Sequence, residues 1–379
     1  MKPLSVLNYN KNNKKRLISS IISVMIAVAF LYVMNIYVES VKLSLHKSTV
    51  AQFQNYARIK VYGNEKSVPQ NIISRLKNNK NVERLIPFRW YGLEFDIAGS
   101  TSLSEALAIN ESDMKYFLQK QNTRLLLGRL PQKDKNEIAI DYFVAKNRKI
   151  SIGDNVGAMV SDYDGMSGKY KIVGILKGEN MVSISPMNSE ASINGDEKSD
   201  LMKTGIIIFP YKNKIDQVNS LVESFPKGYA LYETINIMDK QFEKDTGFLE
   251  ILDIISILTI VLMVITVGSS KYIEFLSRRE ELGILNAIGY SKKQILKRAV
   301  VEVICVNSMA YVLGLIMGII ISYICKKYFF EGSGAVGTVF NVKAFIVAAY
   351  IPLFTSLFTI IPINLIINKL DPINMIENN

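Results

Sequence analysis

Hydrophobic positions along this chain follow two regimes. In the first, apolar residues run on without interruption. Leu17 to Val38 is 22 residues free of charge, about 33 Å as a helix, enough to cross the hydrocarbon core of a bilayer. Ile254 to Ser270 gives 17 such residues, and reaches spanning length only if Leu249 to Asp253 continue the same helix. Val303 to Cys325 gives 23, and Ala344 to Asn368 gives 25. Lipid offers unpaired amides no partner, so each run is expected to be helical. The pattern predicts four spans. A basic run (Lys11, Lys14, Lys15, Arg16) precedes the first, as in a signal peptide. The apolar stretch is long for that role and no small-x-small site closes it, so an uncleaved helix is expected.

The second regime occupies residues 39–247, where short alternating stretches are separated by turn residues. Tyr56–Tyr62, Val82–Ile86, Leu93–Ile97, Glu137–Ile140, Tyr170–Leu176 and Gly205–Phe209 read as strands. Val68–Asn78 reads as a helix with Pro69 near its start, and Tyr142–Lys146 as a helical turn. From Tyr229 the chain is expected to be helical and to run into the second span. Residues 178–204 are poor in large apolar groups and read as a mobile insertion. The fold class is therefore an α-helical four-span membrane protein. A mixed α+β extracytoplasmic domain, helices packed on a sheet, is inserted between spans one and two.

Composition supports that division: 49% hydrophobic residues coexist with 21% charged ones. Charge then orients the chain. Five Lys/Arg precede residue 17, and seven lie between residues 271 and 298. The positive-inside rule places both termini and that segment in the cytoplasm, and residues 39–247 outside. The boundaries expected are 1–16 cytoplasmic, 17–38 span one, 39–247 outer domain, 248–270 span two, 271–299 cytoplasmic elbow, 300–325 span three, 326–343 outer loop, 344–368 span four and 369–379 cytoplasmic. The outer domain carries 29 basic and 25 acidic residues, so only +4 of the net +11 lies there. The excess is a topology signal, and no nucleic-acid partner is expected.

Candidate chemistry is sparse. Cys305 and Cys325 lie near opposite ends of one span and cannot pair within it. His46 is the single histidine and reads as incidental. Asp162-x-Asp164-Gly165 resembles half a calcium loop but lacks the closing Glu, so an acidic surface turn is expected. Trp90 reads as a core or interface anchor. No Gly-x4-Gly-Lys-Ser/Thr occurs, and Gly165-Met-Ser-Gly168-Lys169 fails in spacing. The chain is expected to be no enzyme, and to bind no cofactor or metal of its own.

The most informative stretch follows span two. Leu282, Leu285 and Ile288 recur every three residues, Gly289 is placed to stop a helix, and Ser291 with Gln294 has capping-box spacing. That describes a rigid amphipathic elbow suited to docking a cytoplasmic partner. In span three, Ala310, Gly314, Gly318 and Ser322 form a small-xxx-small stripe, suited either to a dimer contact or to packing within one subunit. Pro352 and Pro362 are expected to kink span four. Glu302 at the inner boundary and Glu250 with Asp253 at the outer one read as interfacial anchors or as parts of a force path.

Arg278-Arg279-Glu280-Glu281-Leu282-Gly283-Ile284-Leu285-Asn286-Ala287-Ile288-Gly289, with Gln294-Ile295 and Glu302, resembles the signature of MacB/FtsX-type ABC transporter permeases. Asn286 stands where the family frequently has arginine or lysine. Leu127-Gly128-Arg129-Leu130-Pro131, Asn136-Glu137-Ile138-Ala139-Ile140, Ile152-Gly153-Asp154 and Tyr170-Lys171-Ile172-Val173-Gly174-Ile175 resemble that family's outer-domain string in order, and Asp371-Pro372-Ile373 its terminal motif. The resemblance implies a non-catalytic membrane subunit that dimerises, with an identical or related copy, on a cytoplasmic ABC ATPase holding ATP and Mg. It places ATPase coupling on Arg278, Arg279, Glu280, Glu281, Leu282, Gly283, Leu285, Ala287, Ile288 and Gly289. It implies export or outer-side handling of a peptide, antibiotic or other amphiphile in contact with membrane lipid, with an outer adaptor or substrate-binding protein as a further partner. An FtsX-like regulator of cell-wall hydrolases, or a lipoprotein-releasing permease, is the alternative. The 209 outer residues favour the exporter-like branch, and the Lys/Asn/Ile-rich composition suggests a Gram-positive bacterium.

Overall fold

A computed structural model describes residues 14–61, 67–97, 100–189, 204–226 and 230–368. The terminal Asp371-Pro372-Ile373 string, the extreme N-terminus and most of the 178–204 stretch lie outside these. The chain forms two compact units. One contains the described residues up to Glu39, Leu249–Cys325 and the chain from Thr338 onward; the other contains Ser40–Phe248 and Lys326–Gly337.

The helical unit takes its shape from α1 (Lys14–Thr49), α7 (Glu250–Leu276), α8 (Arg279–Ala287), α9 (Lys292–Cys325) and α10 (Val342–Asn368). Among the described residues, four helices are long and apolar enough to cross a membrane: Leu17–Thr49, Glu250–Leu276, Lys292–Phe330 and Val342–Asn368. Each exceeds its charge-free run. α7 continues past Ser270 because Lys271 and Glu274, one turn apart, pair at 3.0 Å, and Ser20 of α1 donates to the same carboxylate. Val24, Val28, Leu31 and Tyr32 of α1 share a buried core with Val267, Ala310, Leu315, Ala348 and Ile351.

The small-residue stripe on α9 packs within the subunit. A Cβ on Gly314 would stand 2.8 Å from the Met25 carbonyl oxygen and from Val28, and one on Gly318 3.0 Å from the Tyr32 ring. Ala310 and Ser322 are buried. Within the subunit, the small residues at 314 and 318 allow the close approach of α1. α10 is one continuous helix through Pro352 and Pro362. Beside the first of these, buried Asn307 of α9 donates to Ser356 Oγ at 2.7 Å, Thr355 Oγ1 at 3.2 Å and the Pro352 carbonyl at 3.4 Å. Asp253 meets Lys343 at 3.1 Å.

The second unit is built on one mixed sheet. Its elements are β1 (Ala57–Val61), α2 (Gln70–Lys77), β2 (Val82–Ile97), β3 (Ser100–Ile109), α3 (Glu111–Lys120), β4 (Arg124–Gly128), β5 (Glu137–Asp141), α4 (Tyr142–Arg148), β6 (Asn155–Val156), β7 (Tyr170–Lys177), β8 (Val182–Pro186), β9 (Gly205–Pro210), α5 (Ile215–Glu223), β10 (Ala230–Glu233) and α6 (Ile235–Asp245). Strand order is β10-β1-β9-β2-β3-β8-β5-β7-β4, with β6 on β7. The β3–β8 and β5–β7 pairs are parallel and the other neighbours antiparallel. Phe53, Tyr56, Phe88, Leu107, Phe117 and Phe209 pack in one buried cluster, and Ile59, Ile72, Leu76, Ile208 and Val222 in another.

Several expectations change. Val82–Ile86 and Leu93–Ile97 are one strand of 16 residues. Pro87 only withholds an amide, and Gly92 offers its carbonyl to Gly165 N at 2.8 Å, so neither residue that reads as punctuation stops the strand. The chain after Tyr229 first forms β10; α6 then starts beyond Thr234, whose hydroxyl caps Ile237 N, and ends at Asp245. Val182–Pro186, inside the stretch read as an insertion, is a buried strand between β3 and β5.

Candidate functional site

The elbow residues are placed by α8, its locally determined C-terminal stop and the locally capped start of α9. At the C-terminus of α8, Tyr290 N donates to the Leu285 carbonyl and Gly289 N to the Asn286 carbonyl, both at 3.1 Å, with Gly289 at φ 101°. This is a Schellman stop, which favours glycine at the left-handed position. Asn286 Nδ2 adds a bond to the Tyr290 carbonyl at 3.0 Å, so the departure from the family pattern serves the same turn. Ser291 and Gln294 form the reciprocal box: Ser291 N donates to Gln294 Oε1 at 2.9 Å, and Gln294 N to Ser291 Oγ at 3.3 Å. Helix stop and helix start thus stand side by side.

The start of α8 is pinned from below. Arg278, 3% exposed, donates to Glu302 Oε1 of α9 at 2.9 Å and to Glu281 Oε2 at 3.3 Å. Arg298 approaches the other Glu281 oxygen at 3.6 Å, and the Arg278 guanidinium lies over the Phe275 ring at 5.0 Å. Two guanidinium groups and two carboxylates form a balanced cluster joining the α7–α8 corner to α9. Leu282 and Leu285 pack beside it with Ile295, Val303, Ile363 and Ile367.

The sequence-predicted residues therefore separate. Arg278, Leu282, Gly283 and Leu285 are buried, and Glu281 is half-buried. Arg279, Glu280, Ala287, Ile288 and Gly289 are exposed. The apolar stripe read as Leu282, Leu285 and Ile288 is not one face: two members turn into the bundle, while Ile288 is 62% exposed. The residue missed is Ile284, 64% exposed and one turn before Ile288. The i, i+4 spacing of the two isoleucines was the available signal, masked by the leucines on the opposite face.

In the sheet unit, the outer-domain string becomes one local structure. Gly128 at φ 77° leaves 2.2 Å between an added Cβ and the Val173 carbonyl oxygen, while Gly174 would press on the Arg129 carbonyl at 2.3 Å. Arg129 forks onto Glu137 at 2.7 and 2.6 Å and holds that carboxyl below its ordinary range. Gly153 N donates to the Ile172 carbonyl at 2.9 Å. These residues build a strand junction.

A second buried charge cluster lies on the same sheet. Arg58 is fully buried, forks onto Glu105 at 2.7 and 2.8 Å and also bonds Glu233. Burial opposes its charge, but the two carboxylates outweigh that and hold it protonated. Lys60 reaches Glu233 at 3.0 Å and lies 4.4 Å from the Trp90 ring centre; burial lowers its ammonium. Trp90 is an anchor, as expected. Asp164 departs from expectation. It is buried, forks onto Arg148 at 2.7 and 2.9 Å, and accepts Glu94 N and Gly157 N. It is a structural hub and not a surface turn. His46 is engaged by Asp239 at 3.1 Å and stands edge-on to Phe242. Among the described residues no group of three His, Cys, Asp or Glu side chains is arranged to hold a metal.

Residues 254–370 match the FtsX-like permease C-terminal family. They form an FtsX-like permease domain. The chain is a membrane protein with its mixed-sheet domain between the first and second spans. An uncharacterized ABC transporter permease of Methanocaldococcus jannaschii is 26% identical over 271 residues, 67% of this chain and 65% of that one. The chain thus spans just under two thirds of that relative's length. A putative hemin transport system permease of Staphylococcus epidermidis, HrtB, is 23% identical over 314 residues, 80% of this chain and 82% of its own. Among solved structures, the periplasmic region of MacB from Actinobacillus actinomycetemcomitans aligns with TM-score 0.31 and 11% identity, over 53% of this chain and 97% of that one. The extracellular domain of the Gram-positive transporter YknZ aligns with TM-score 0.28 and 14% identity, over 44% and 89%. The permease-family match covers the whole elbow.

Proposed function

We propose that this FtsX-like permease is the membrane subunit of an ABC transporter, in which a separate cytoplasmic ATPase binds the α8 elbow and drives movement of the sheet domain on the other side of the membrane. The observation that carries this reading is the division of α8 into two faces. Leu282, Leu285 and Arg278 are locked to α9 and α10, while Ile284 and Ile288 face outward beside Arg279 and Glu280. A rigid helix with an unfilled apolar patch among charged groups, at a basic membrane flank, is suited to receiving a partner and passing its motion to the spans.

Both termini and the elbow are then cytoplasmic and the sheet domain is outside, in line with the seven Lys/Arg between residues 271 and 298. ATP and Mg sit on the ATPase. A second permease copy completes the assembly. The cargo class is a peptide, antibiotic or other amphiphile delivered or handled outside, with an outer adaptor or substrate-binding protein as a further partner.

Co-purification of the full chain with its ATPase tests this. Ile284→Asp and Ile288→Asp are expected to lose the ATPase while the permease stays monodisperse on size exclusion. A retained complex with unaltered ATPase activity in both variants would overturn the docking assignment.

A further inference from the structure

The stretch after α9 reads in the sequence as a plain loop, yet it folds as part of the sheet unit. Lys326–Phe330 forms a single π-helical turn, closed by Glu331 N donating to the Lys326 carbonyl at 2.8 Å and Ala335 N to the Phe330 carbonyl at 2.7 Å. Phe330 and Ala335 are buried, at 5% and 2% exposure. This makes a compact knob, Lys326–Gly337.

Two elements grip it. On one side Ser44 of α1, fully buried, donates to the Val336 carbonyl at 2.7 Å and accepts Val336 N at 2.9 Å. On the other side is α4. Asn147 accepts Asp96 N at 2.9 Å and donates to the Asp96 carbonyl at 2.7 Å, and it also donates to the Ser333 carbonyl. One side chain thus joins the end of β2 to the knob. Gly334, at φ 75°, lies so close that an added Cβ would stand 2.2 Å from the Phe143 carbonyl oxygen and 3.0 Å from Asn147 N. Both the conformation and the contact call for glycine.

We infer that Lys326–Gly337 is a third anchor of the sheet domain, latched by Asn147 and Gly334 to α4 and by Ser44 to α1, so that motion of the sheet domain is passed to spans α9 and α10 as well as along the chain into α1 and α7. The inference rests on the proposed coupling for its use, and on the hydrogen bonds and close contact for its existence. The knob is covalently continuous with α9 and closely precedes α10. A sheet domain that grips it moves both spans, whereas a free loop would absorb the displacement. Asn147 is a positioning residue in this scheme.

Spin labels at Lys146→Cys and Tyr328→Cys, in a Cys305→Ser, Cys325→Ser background, test it on the full chain in lipid nanodiscs. A narrow distance distribution is expected. Gly334→Ala, and independently Asn147→Ala, should broaden it roughly twofold as the latch opens locally; an unchanged width in both variants overturns the latch. With the ATPase bound and trapped by ATP and vanadate, the 146–328 distance should stay fixed in the parent and shift in Gly334→Ala. A shift in the parent overturns the anchor. Failure of the ATPase to co-purify counts against the coupling reading, while the nucleotide-free comparison still decides the latch.

Discussion

Two buried arginines, each held by two carboxylates, carry out different tasks in this molecule. Arg58 in the sheet unit is sealed: its side chain is 1% exposed and its partners Glu105 and Glu233 only 10% and 11%. It ties β1 to its neighbour β10 and, across two intervening strands, to β3. Arg278 in the helical unit is equally buried, but one partner, Glu281, is 42% exposed while Glu302 is 7%. The first is a pin through a rigid sheet. The second is a corner joint with one side open to water. A buried ion pair gains little over an apolar pair of similar shape, but losing one member leaves an uncompensated charge. The geometry, more than the pairing, tells which joint can yield.

Replacing Arg58 with Leu should break the comparison most severely. It strands two buried carboxylates, and a loss of about 3–5 kcal/mol is expected. Chemical denaturation of the full chain in detergent, followed by the fluorescence of the single Trp90, would show it; a midpoint close to the parent's would refute the pin. Glu302→Leu removes the sealed partner of Arg278 while Glu281 remains. Because that carboxylate is half in water, a smaller loss of about 3 kcal/mol is expected, read by thermal shift, together with loosened protease resistance around residue 278.

Asp141 supplies a third kind of buried carboxylate. Burial pushes its carboxyl up to about 7, and backbone amides at the start of α4, not a guanidinium, hold it. Between the unfolded value near 4 and about 7, the folded chain keeps a proton that the unfolded chain has released. Stability should therefore fall as pH rises through that window, by roughly 2 kcal/mol or more in total. Asp141→Asn should flatten this slope; an equal slope in both proteins would remove Asp141 as its source. Ser291→Ala, which deletes half of the capping box, should cost about 1 kcal/mol, visible as faster amide exchange at residues 292–295. Protection unchanged there would mean that the cap adds nothing at the elbow.

What the sequence disclosed follows the range of the interactions. The spans, the glycine stop at 289 and the Ser291–Gln294 box depend on residues within a few positions of one another, and all are present. Which face of α8 is buried was not legible. Leu282 with Leu285 and Ile284 with Ile288 both satisfy helical spacing, and only the packing of α9 and α10 selects between them. Arg58, Glu105 and Glu233 are separated by 47 and 128 positions, so no local pattern could join them. Proline and glycine are turn residues by propensity, which divides β2 in the sequence, whereas pairing with β9 at Pro87 and with β3 at Gly92 carries the strand through them. Strands β3, β4, β6, β8 and β10 and helices α3 and α5 carry no pattern strong enough to be read from the sequence; β8 in particular is short and lies next to a polar stretch. The knob at 326–337 offers mainly backbone groups to Ser44 and Asn147, which lie 292 and 186 positions away, so its own sequence carries little sign of the contact beyond Gly334.

The paired stop and start at residues 288–291 have an entropic consequence. Ordering one residue's backbone costs about 1–2 kcal/mol, and a loosely held connector would charge that cost to whatever binds it. Here the Schellman bonds and the capping box order those positions before any encounter. A protein that binds α8 meets a surface already at its final angle, so a few contacts around Ile284 and Ile288 can suffice for affinity. The same preorganisation makes the elbow a stiff element, with little slack in which a push could be lost.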